Sequence, residues 1–146
     1  MNARFQETRI ALLQRVPEII AFVREHGKGI LEYPDAQLID IFIQHINYGT
    51  LIVMDDDKGI AVVERWNYID EAIFFSLDTV IRPDCRKVSQ IKALMKYGVE
   101  NSIYSKTLRY VLYRKGQHME LGYRVHDIEK FLGNGKYKLN REVQDD

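Results

Sequence analysis

Two basic side chains, Arg86 and Lys87, stand where the sequence predicts that a strand ends and a helix begins, in "VIRPDCRKVSQIKALMKYG", residues 80–98. The first amide groups of a helix have no partner within the helix and, with its dipole, favour an anion. Glycines usually allow a phosphate to approach such a turn, but Ser89 and Ile91 stand where they would help. The stretch therefore predicts either a phosphate-binding turn without glycines or a plain strand-helix connection.

Other reactive side chains form no recognisable catalytic or metal pattern. Cys85 is the only cysteine, which excludes an internal disulfide and indicates a reducing compartment. We interpret it as an ordinary thiol in a turn, because no histidine can be placed beside it to make it a nucleophile. The four histidines show no zinc spacing. "DDD" at 55–57 lacks the spacing of a calcium loop and is interpreted as the solvated tip of a hairpin.

The composition predicts a soluble globular protein without a nucleic-acid or membrane partner. Lys plus Arg and Asp plus Glu both number 21, and 46% of the 146 residues are apolar. A set of alternating tyrosines and arginines could indicate stacking on the bases of a nucleic acid. The sequence has no basic stripe beside this set, so a packed, half-exposed strand explains it better. Its members are Tyr97, Tyr104, Arg109, Tyr110, Tyr113 and Arg114. The N-terminus has no signal-peptide pattern and no apolar run approaches a membrane span, so a cytoplasmic location is expected.

Helical spacing in the first third predicts two helices. The first has Ile10, Leu13, Ile20 and Val23 near one face and a kink or restart at Pro17. It is expected to end at "HGKG", where Gly27 and Gly29 can take the left-handed conformation that closes a helix. The second begins at Pro34. Its predicted apolar side consists of Leu38, Ile41, Phe42 and His45.

The rest of the chain alternates between strands and helices. "TLIVM" and "IAVVERW" predict a hairpin with Gly59 in its loop, and "EAIFFSLDTVIR" predicts a central strand. "VSQIKALMKYGVE" predicts a helix leading to a parallel strand in "TLRYVLYRK". "DIEKFLG" predicts one or two helical turns and "GKYKLN" an edge strand. The predicted fold class is α/β, a single domain over 1–146 whose mixed sheet of about six strands is flanked by helices on both faces.

This order of elements, together with the turn, resembles the GNAT superfamily of acyl-coenzyme A-dependent N-acyltransferases from the first helix to about Tyr123. The family turn is R/Q-x-x-G-x-G/A after an apolar, proline-containing stretch. Arg86, Pro83 and the apolar helix face match this pattern, and both glycine positions depart from it. The resemblance implies a cradle for the coenzyme A pyrophosphate at Arg86, Lys87, Val88, Ser89, Gln90 and Ile91. It also implies a strand edge for the pantetheine at Leu77, Thr79, Val80 and Ile81.

A second stretch, "HMELGY" at 118–123, resembles the family signature Y-x-x-L-G-F near the transfer site. The resemblance places His118 or Tyr123 as the acid that protonates the leaving thiolate, while an ordinary turn histidine remains the alternative for His118. "FLGNG" at 131–135 offers a competing register. The family often carries a carboxylate base near the hairpin and strand junction. In this sequence the resemblance implies that Glu64 or Glu71 is the base. The alternative is that each is an ordinary glutamate in a solvated turn.

The implied function is transfer of an acyl group, most simply acetyl from acetyl-CoA, to an amine of a small molecule or a protein. The alternative is a GNAT-fold module that has lost catalysis and binds a protein or small-molecule partner. The missing glycines favour this alternative, whereas Arg86, Lys87 and the Leu-Gly-Tyr stretch favour the enzyme. No metal is expected, and the tyrosine-rich "LRYVLY" could form a subunit edge in a homodimer.

Overall fold

A computed structural model describes residues 4–5, 8–27, 32–114 and 122–133 of the chain. The described residues form six strands and five α-helices. In chain order these are β1 (Arg4–Phe5), α1 (Arg9–Gln14), α2 (Val16–His26), α3 (Asp35–Tyr48), β2 (Leu51–Asp56), β3 (Gly59–Tyr68), β4 (Ile73–Ile81), α4 (Val88–Glu100), β5 (Tyr110–Arg114), β6 (Tyr123–Asp127) and α5 (Ile128–Gly133). None of the helices in these ranges is both long enough and apolar enough to cross a membrane.

The strands form a mixed sheet in the order β1-β2-β3-β4-β5-β6. β1 and β2, β2 and β3, and β5 and β6 pair antiparallel, whereas β4 and β5 pair parallel. The parallel pair is the predicted strand-helix-strand crossover, with α4 in the connection. The predicted α/β fold class, a mixed sheet of about six strands with helices, is confirmed.

The chain divides into two compact units. The first contains Met1–Trp66 and Asp78–Arg86, and the second contains Asn67–Leu77 and Lys87–Asp146. The boundaries fall within β3, within β4 and between Arg86 and Lys87, directly before α4. The assignment of 1–146 to one domain remains a prediction.

The first helical stretch restarts at Pro17, as predicted. α1 ends at Gln14, and Pro17 lies in the first turn of α2, where its missing N–H costs no helical hydrogen bond. The prediction that Gly27 is left-handed is wrong, since its φ is −92° and its N–H donates to the Val23 carbonyl. A Cβ at Gly27 would lie 2.6 Å from that oxygen, so glycine is required here by close approach. Gly29 lies outside the described residues.

The core of the first unit lies between α1–α3 and one face of its strands. In α3, Leu38, Phe42 and Ile46 are buried, whereas Ile41 and His45 are only half-buried. Burying a large apolar side chain contributes about 2 kcal/mol, so these helices are held mainly by this face. The core cluster consists of Leu12, Val16, Ile19, Ile20, Phe22, Val23, Leu38, Phe42, Ile46, Leu51, Val53, Ile60, Val63 and Val80.

In the second unit, α4 spans the predicted helix and buries Leu94, Met95 and Val99. α5 forms the predicted short helix, while "GKYKLN" lies outside the described residues. The sequence interpretation missed β6, because its residues "YRVHD" include only two apolar side chains and mimic a loop. It also missed β1, which is only two residues long.

Candidate functional site

The turn that carries Arg86 and Lys87 needs no glycine for its backbone conformation. A 3₁₀ turn spans Pro83–Cys85, and α4 begins at Val88. Arg86 has φ −78° and Lys87 has φ −126°, both in regions open to any residue. Lys87 is the N-cap of α4 and makes no side-chain cap hydrogen bond. The Lys87 carbonyl accepts hydrogen bonds from the Gln90 and Ile91 amides, but the Lys87 side chain supplies no oxygen to the Val88 and Ser89 amides. These first two amides suit an external anion.

The side chains of this turn lie mostly at the surface. Arg86, Lys87, Val88 and Ser89 are exposed, and the Arg86 Nε lies 3.4 Å from the Ile81 carbonyl to which it donates. The next two residues differ, because Gln90 is buried and Ile91 is half-buried. The exposed Ser89 therefore does not fill the turn, although it stands at a glycine position of the family pattern.

The strand leading to the turn extends beyond its parallel partner. The ladder joins Ile73–Phe75 of β4 with Tyr110–Leu112 of β5, while β4 itself continues to Ile81. The predicted strand-edge residues divide between two faces. Val80 is buried in the core of the first unit, and alternation places Thr79 and Ile81 on the other face. Leu77, Thr79 and Ile81 are half-buried.

The structure brings two of the predicted site residues together. The Thr79 hydroxyl on β4 donates a 2.7 Å hydrogen bond to the Glu64 carboxylate on β3. Glu64 is only 2% exposed. Burial raises the pKa of Glu64 to about 7, and the hydrogen bond from Thr79 opposes part of that rise. A carboxyl group with this pKa can exchange a proton near neutral pH, as a general base must.

Glu71, the other predicted base, is placed differently. It lies exposed in the turn between β3 and β4, where the Asp70 carboxylate accepts hydrogen bonds from the Ala72 and Ile73 amides. The Glu71 backbone carbonyl accepts a 2.6 Å hydrogen bond from the Thr107 hydroxyl. This placement is that of a solvated turn glutamate.

Tyr123 opens β6 directly after Gly122. Gly122 has φ +79°, a left-handed conformation that favours glycine, which accounts for the glycine of the Leu-Gly-Tyr pattern. The half-buried Tyr123 ring meets Phe75 of β4 edge-on at 5.0 Å between centroids. Phe75 is the last β4 residue in the ladder with β5, so Tyr123 lies where that ladder ends. His118 lies outside the described residues.

Arg82, which the sequence interpretation did not single out, organises the end of β4. Its guanidinium donates to the Asp56 carboxylate, to the Asp84 carboxylate at 2.6 Å and to the Ile60 carbonyl at 3.0 Å. These bonds lower the pKa values of Asp56 and Asp84. Arg82 thus ties the β2–β3 hairpin to the 3₁₀ turn that precedes α4. Only its position directly after the strand could have signalled this role.

The interpretation of "DDD" as a solvated tip is wrong for two of its three residues. Asp55 and Asp56 are 6% and 3% exposed, because arginines distant in sequence reach them. Arg15 binds Asp55 through two 2.7 Å hydrogen bonds, and Arg82 binds Asp56. Asp57 alone is exposed.

Cys85 is fully buried beside the Arg82 network. Its sulfur lies 3.2 Å from the Arg82 guanidinium and 3.6 Å from Asp56, and burial raises the pKa of its thiol. Asp56, Asp84 and Cys85 could together offer metal ligands. Arg82 already supplies a cation to this cluster, so we interpret it as structural.

A second polar cluster surrounds His45 at the end of α3. His45 Nδ1 lies 2.7 Å from the Thr50 hydroxyl, and Arg65 of β3 pairs with Asp78 of β4 nearby. Burial first, and then the positive charge of Arg65, lower the pKa of His45 to about 4, against opposing contributions from Asp78 and the Trp66 backbone. His45 is therefore neutral at physiological pH.

The contribution of neutral His45 to the free energy of unfolding of the wild type is expected to be lost at acid pH. Between about pH 6.5 and pH 4 the unfolded histidine binds a proton and the folded one does not, so the free energy of unfolding falls as the pH falls. Because His45 is half-buried, solvent screening limits this to about 1 kcal/mol. Urea unfolding of His45→Gln and wild type across this range should show a difference that narrows at low pH. A difference that does not change with pH would contradict the assignment.

Comparison with known proteins identifies the fold. No protein-family model and no curated protein sequence matches the chain. Many solved structures resemble it at low sequence identity, and three of them illustrate the likeness. The loading GNATL domain of CurA from Lyngbya majuscula has a TM-score of 0.58 and 8% identity, over 82% of this chain and 67% of that one.

The second is the diaminobutyrate acetyltransferase EctA from Paenibacillus lautus, in complex with L-2,4-diaminobutyric acid and coenzyme A. It has a TM-score of 0.55 and 10% identity, over 77% of this chain and 64% of that one. The third is a predicted acetyltransferase from Clostridium acetobutylicum with acetyl-CoA. It has a TM-score of 0.55 and 8% identity, over 80% of this chain and 81% of that one. At these identities the likeness establishes the architecture, and the chain has the GNAT superfamily fold.

Proposed function

We propose that the chain binds an acyl-coenzyme A at the turn between β4 and α4 and transfers the acyl group, acetyl in the simplest case, to an amine. The observation that carries the proposal is the start of α4. In this GNAT fold, α4 follows β4, the strand that pairs in parallel with β5. The N-cap residue Lys87 makes no side-chain hydrogen bond to the start of α4, and the two basic residues there, Arg86 and Lys87, are exposed. Coenzyme A and acetyl-CoA are bound by two of the similar structures.

The turn has the features that a pyrophosphate requires. The amide groups of Val88 and Ser89 lie in the first turn of α4, at the positive end of the helix dipole, where they can donate to an anion. Arg86 and Lys87 add two positive charges without being buried. Ser89 and Ile91, which stand at the two glycine positions, lie within α4, where the helical backbone does not require glycine. A pyrophosphate at this position approaches an open, exposed surface at Ser89.

Glu64 is the proposed base. A thioester donor supplies the activated acyl group, so the protein has to remove a proton from the attacking amine and give one to the leaving thiolate. A buried carboxyl with a pKa of about 7 is half ionised near neutral pH and accepts a proton readily, directly or through water. The exposed Glu71 lacks this environment. The hydrogen bond from Thr79 fixes the orientation of the Glu64 carboxylate.

Tyr123 is the proposed acid. Its phenol lies on β6 against Phe75, at the end of the β4–β5 ladder, and a left-handed Gly122 fixes the start of the strand. His118 remains the alternative acid from the sequence pattern. The acceptor is an amine, as the diaminobutyrate bound to EctA illustrates for that protein.

Acetyl-CoA is expected to raise the melting temperature of the wild-type chain, and Arg86→Glu is expected to abolish that rise. A ligand at a hundred times its Kd adds about 2.7 kcal/mol of stability. Reversing the charge at Arg86 places a carboxylate beside the pyrophosphate and disfavours it. A thermal-shift titration with acetyl-CoA measures both variants.

The matched control is Arg9→Glu, which makes the same charge change at an exposed position of α1. It should retain the full shift. An unchanged shift in Arg86→Glu would place the ligand elsewhere, and the absence of any shift in wild type would contradict coenzyme A binding.

The second candidate is a GNAT-fold module that has lost catalysis and binds a protein or small-molecule partner. The residues Ser89 and Ile91 at both glycine positions favour it. The two functions are distinguished by two measurements, because the module would show no acetyl-CoA-dependent thermal shift and would release no free thiol with any of a panel of amines. Thiol release with one amine would establish the enzyme.

A further inference from the structure

The proposed base, Glu64, is enclosed by protein. It lies on β3 and is only 2% exposed, which leaves its carboxylate almost no surface that an amine could contact. A general base has to reach the proton that it removes, either directly or through one intervening group. A substrate amine therefore needs a group that touches both the amine and the Glu64 carboxylate.

The Thr79 hydroxyl occupies this intermediate position. It donates a 2.7 Å hydrogen bond from β4 to Oε2 of Glu64. Thr79 is half-buried, so it is more accessible than the carboxylate that it contacts. It also lies on the part of β4, after Phe75, that extends beyond the ladder with β5. Because a hydroxyl has one proton to donate and two lone pairs, Thr79 can bond to Glu64 and still accept a proton from an amine.

We propose that Thr79 relays the proton of the acceptor amine to Glu64. This inference rests on the proposed function, in which Glu64 is the base, and it adds the group that the amine contacts. As the amine nitrogen bonds to the carbonyl carbon of the thioester, its proton passes to Thr79 Oγ1 and the hydroxyl proton of Thr79 passes to Glu64. The C–S bond then breaks, and the thiolate takes a proton from the proposed acid, Tyr123. Thr79 ends the step as a hydroxyl again, and proton exchange with water restores Glu64 and Tyr123.

Thr79→Val tests the relay, because valine has nearly the shape of threonine but carries no hydroxyl. We expect kcat for thiol release to fall by about 100-fold, as the loss of assisted proton transfer predicts, while KM for acetyl-CoA stays unchanged. Thr79→Ser keeps the hydroxyl and should retain most of the wild-type kcat. The matched control is Thr107→Val, which removes an exposed hydroxyl that donates to the Glu71 carbonyl and should leave kcat unchanged.

The dependence of kcat on pH separates a relay from a hydrogen bond that only tunes the base. Loss of the Thr79 hydroxyl should raise the pKa of Glu64 further, because its hydrogen bond opposes the effect of burial. If Thr79 acted only through this pKa, Thr79→Val would regain the wild-type kcat once the pH exceeded the raised pKa. A relay instead predicts that the loss persists there, where Glu64 is ionised in both proteins.

A thermal shift with acetyl-CoA equal to that of wild type would show that Thr79→Val is folded and binds the donor, and Thr79→Ala replaces it if the valine variant does not fold. Full kcat in Thr79→Val, recovery of kcat at high pH, or an equal loss in Thr79→Ser would each overturn the relay and leave Glu64 as the proposed base. Absence of thiol release by wild type with every amine tested would overturn the proposed enzymatic function and the relay with it.

Discussion

A Glu64→Gln variant is expected to lose at least about 100-fold in kcat for acyl transfer while becoming more stable than wild type at pH 8. The loss follows because glutamine cannot accept the proton that a general base removes, and such a base contributes about 10²–10⁴-fold. The gain follows because the buried ionised carboxylate is replaced by a neutral amide of similar shape. Thiol release and urea unfolding measure the two effects.

The pH dependence of stability has a definite sign. The pKa of Glu64 is about 7 in the folded state and about 4.5 in the unfolded state. Between these two pH values the folded protein therefore binds a proton at Glu64 that the unfolded protein has lost. The free energy of unfolding therefore falls as the pH rises through this window, by about 3 kcal/mol at most. Glu64→Gln should remove this fall. The slope is opposite to that expected from His45, so the two contributions partly cancel in wild type.

The activity profile provides an independent check on Glu64. In wild type, kcat/KM should rise with pH through about 7 as the base loses its proton, and Glu64→Gln should lack this rise. Glu71→Gln, at an exposed turn, is the matched control and should leave both activity and stability unchanged. A Glu64→Gln variant that is more stable yet fully active would show that Glu64 is only a buried structural acid. A large loss of acyl-transfer activity in Glu71→Gln would indicate that Glu71 is the base.

An Arg82→Ala variant is expected to lose about 3 kcal/mol of folding free energy. It leaves Asp56, which is 3% exposed, without its cation, and it removes the hydrogen bond to the Ile60 carbonyl. Removing one partner of a buried ion pair is costly because the other charge stays buried and unpaired. This loss is a large share of the 5–15 kcal/mol of a typical domain, so it should be plain in urea unfolding.

Lys58→Ala offers the matched control within the same network. Lys58 pairs with Asp84 at 3.2 Å but is 73% exposed, so its removal should change stability by less than about 0.5 kcal/mol. Adding Asp56→Asn to Arg82→Ala should restore part of the loss, since the buried negative charge that Arg82 neutralises in the wild type is then absent. Equal stabilities of Arg82→Ala and wild type would show that the network does not hold the turn.

Local patterns were sufficient to predict most of the fold. The helix at Val88–Glu100 and the hairpin closed by Gly59 both follow from spacing that a short window contains. Pro17 restarts a helix for reasons confined to its own turn. β6 was missed because its pairing with β5, rather than its own composition, makes "YRVHD" a strand.

The candidate site was predictable only in part. The turn at Arg86 could be found in the sequence because the strand, the turn and the helix are contiguous. The pairing of Arg82 with Asp56 could not, because the two residues lie 26 positions apart and nothing in the spacing connects them. In the same way, Asp55 was assigned to solvent because Arg15 lies 40 residues away.

The sequence by itself determined the order of strands and helices, the resemblance to GNAT acyltransferases and the charged turn before α4, since each depends on neighbours within about a dozen residues. Tertiary structure decided which of two glutamates sits in a proton-exchanging environment and which aspartates are buried with arginines. The physical reason is that burial and long-range ion pairs set the free energy of a charge. Neither quantity exists until distant strands have come together.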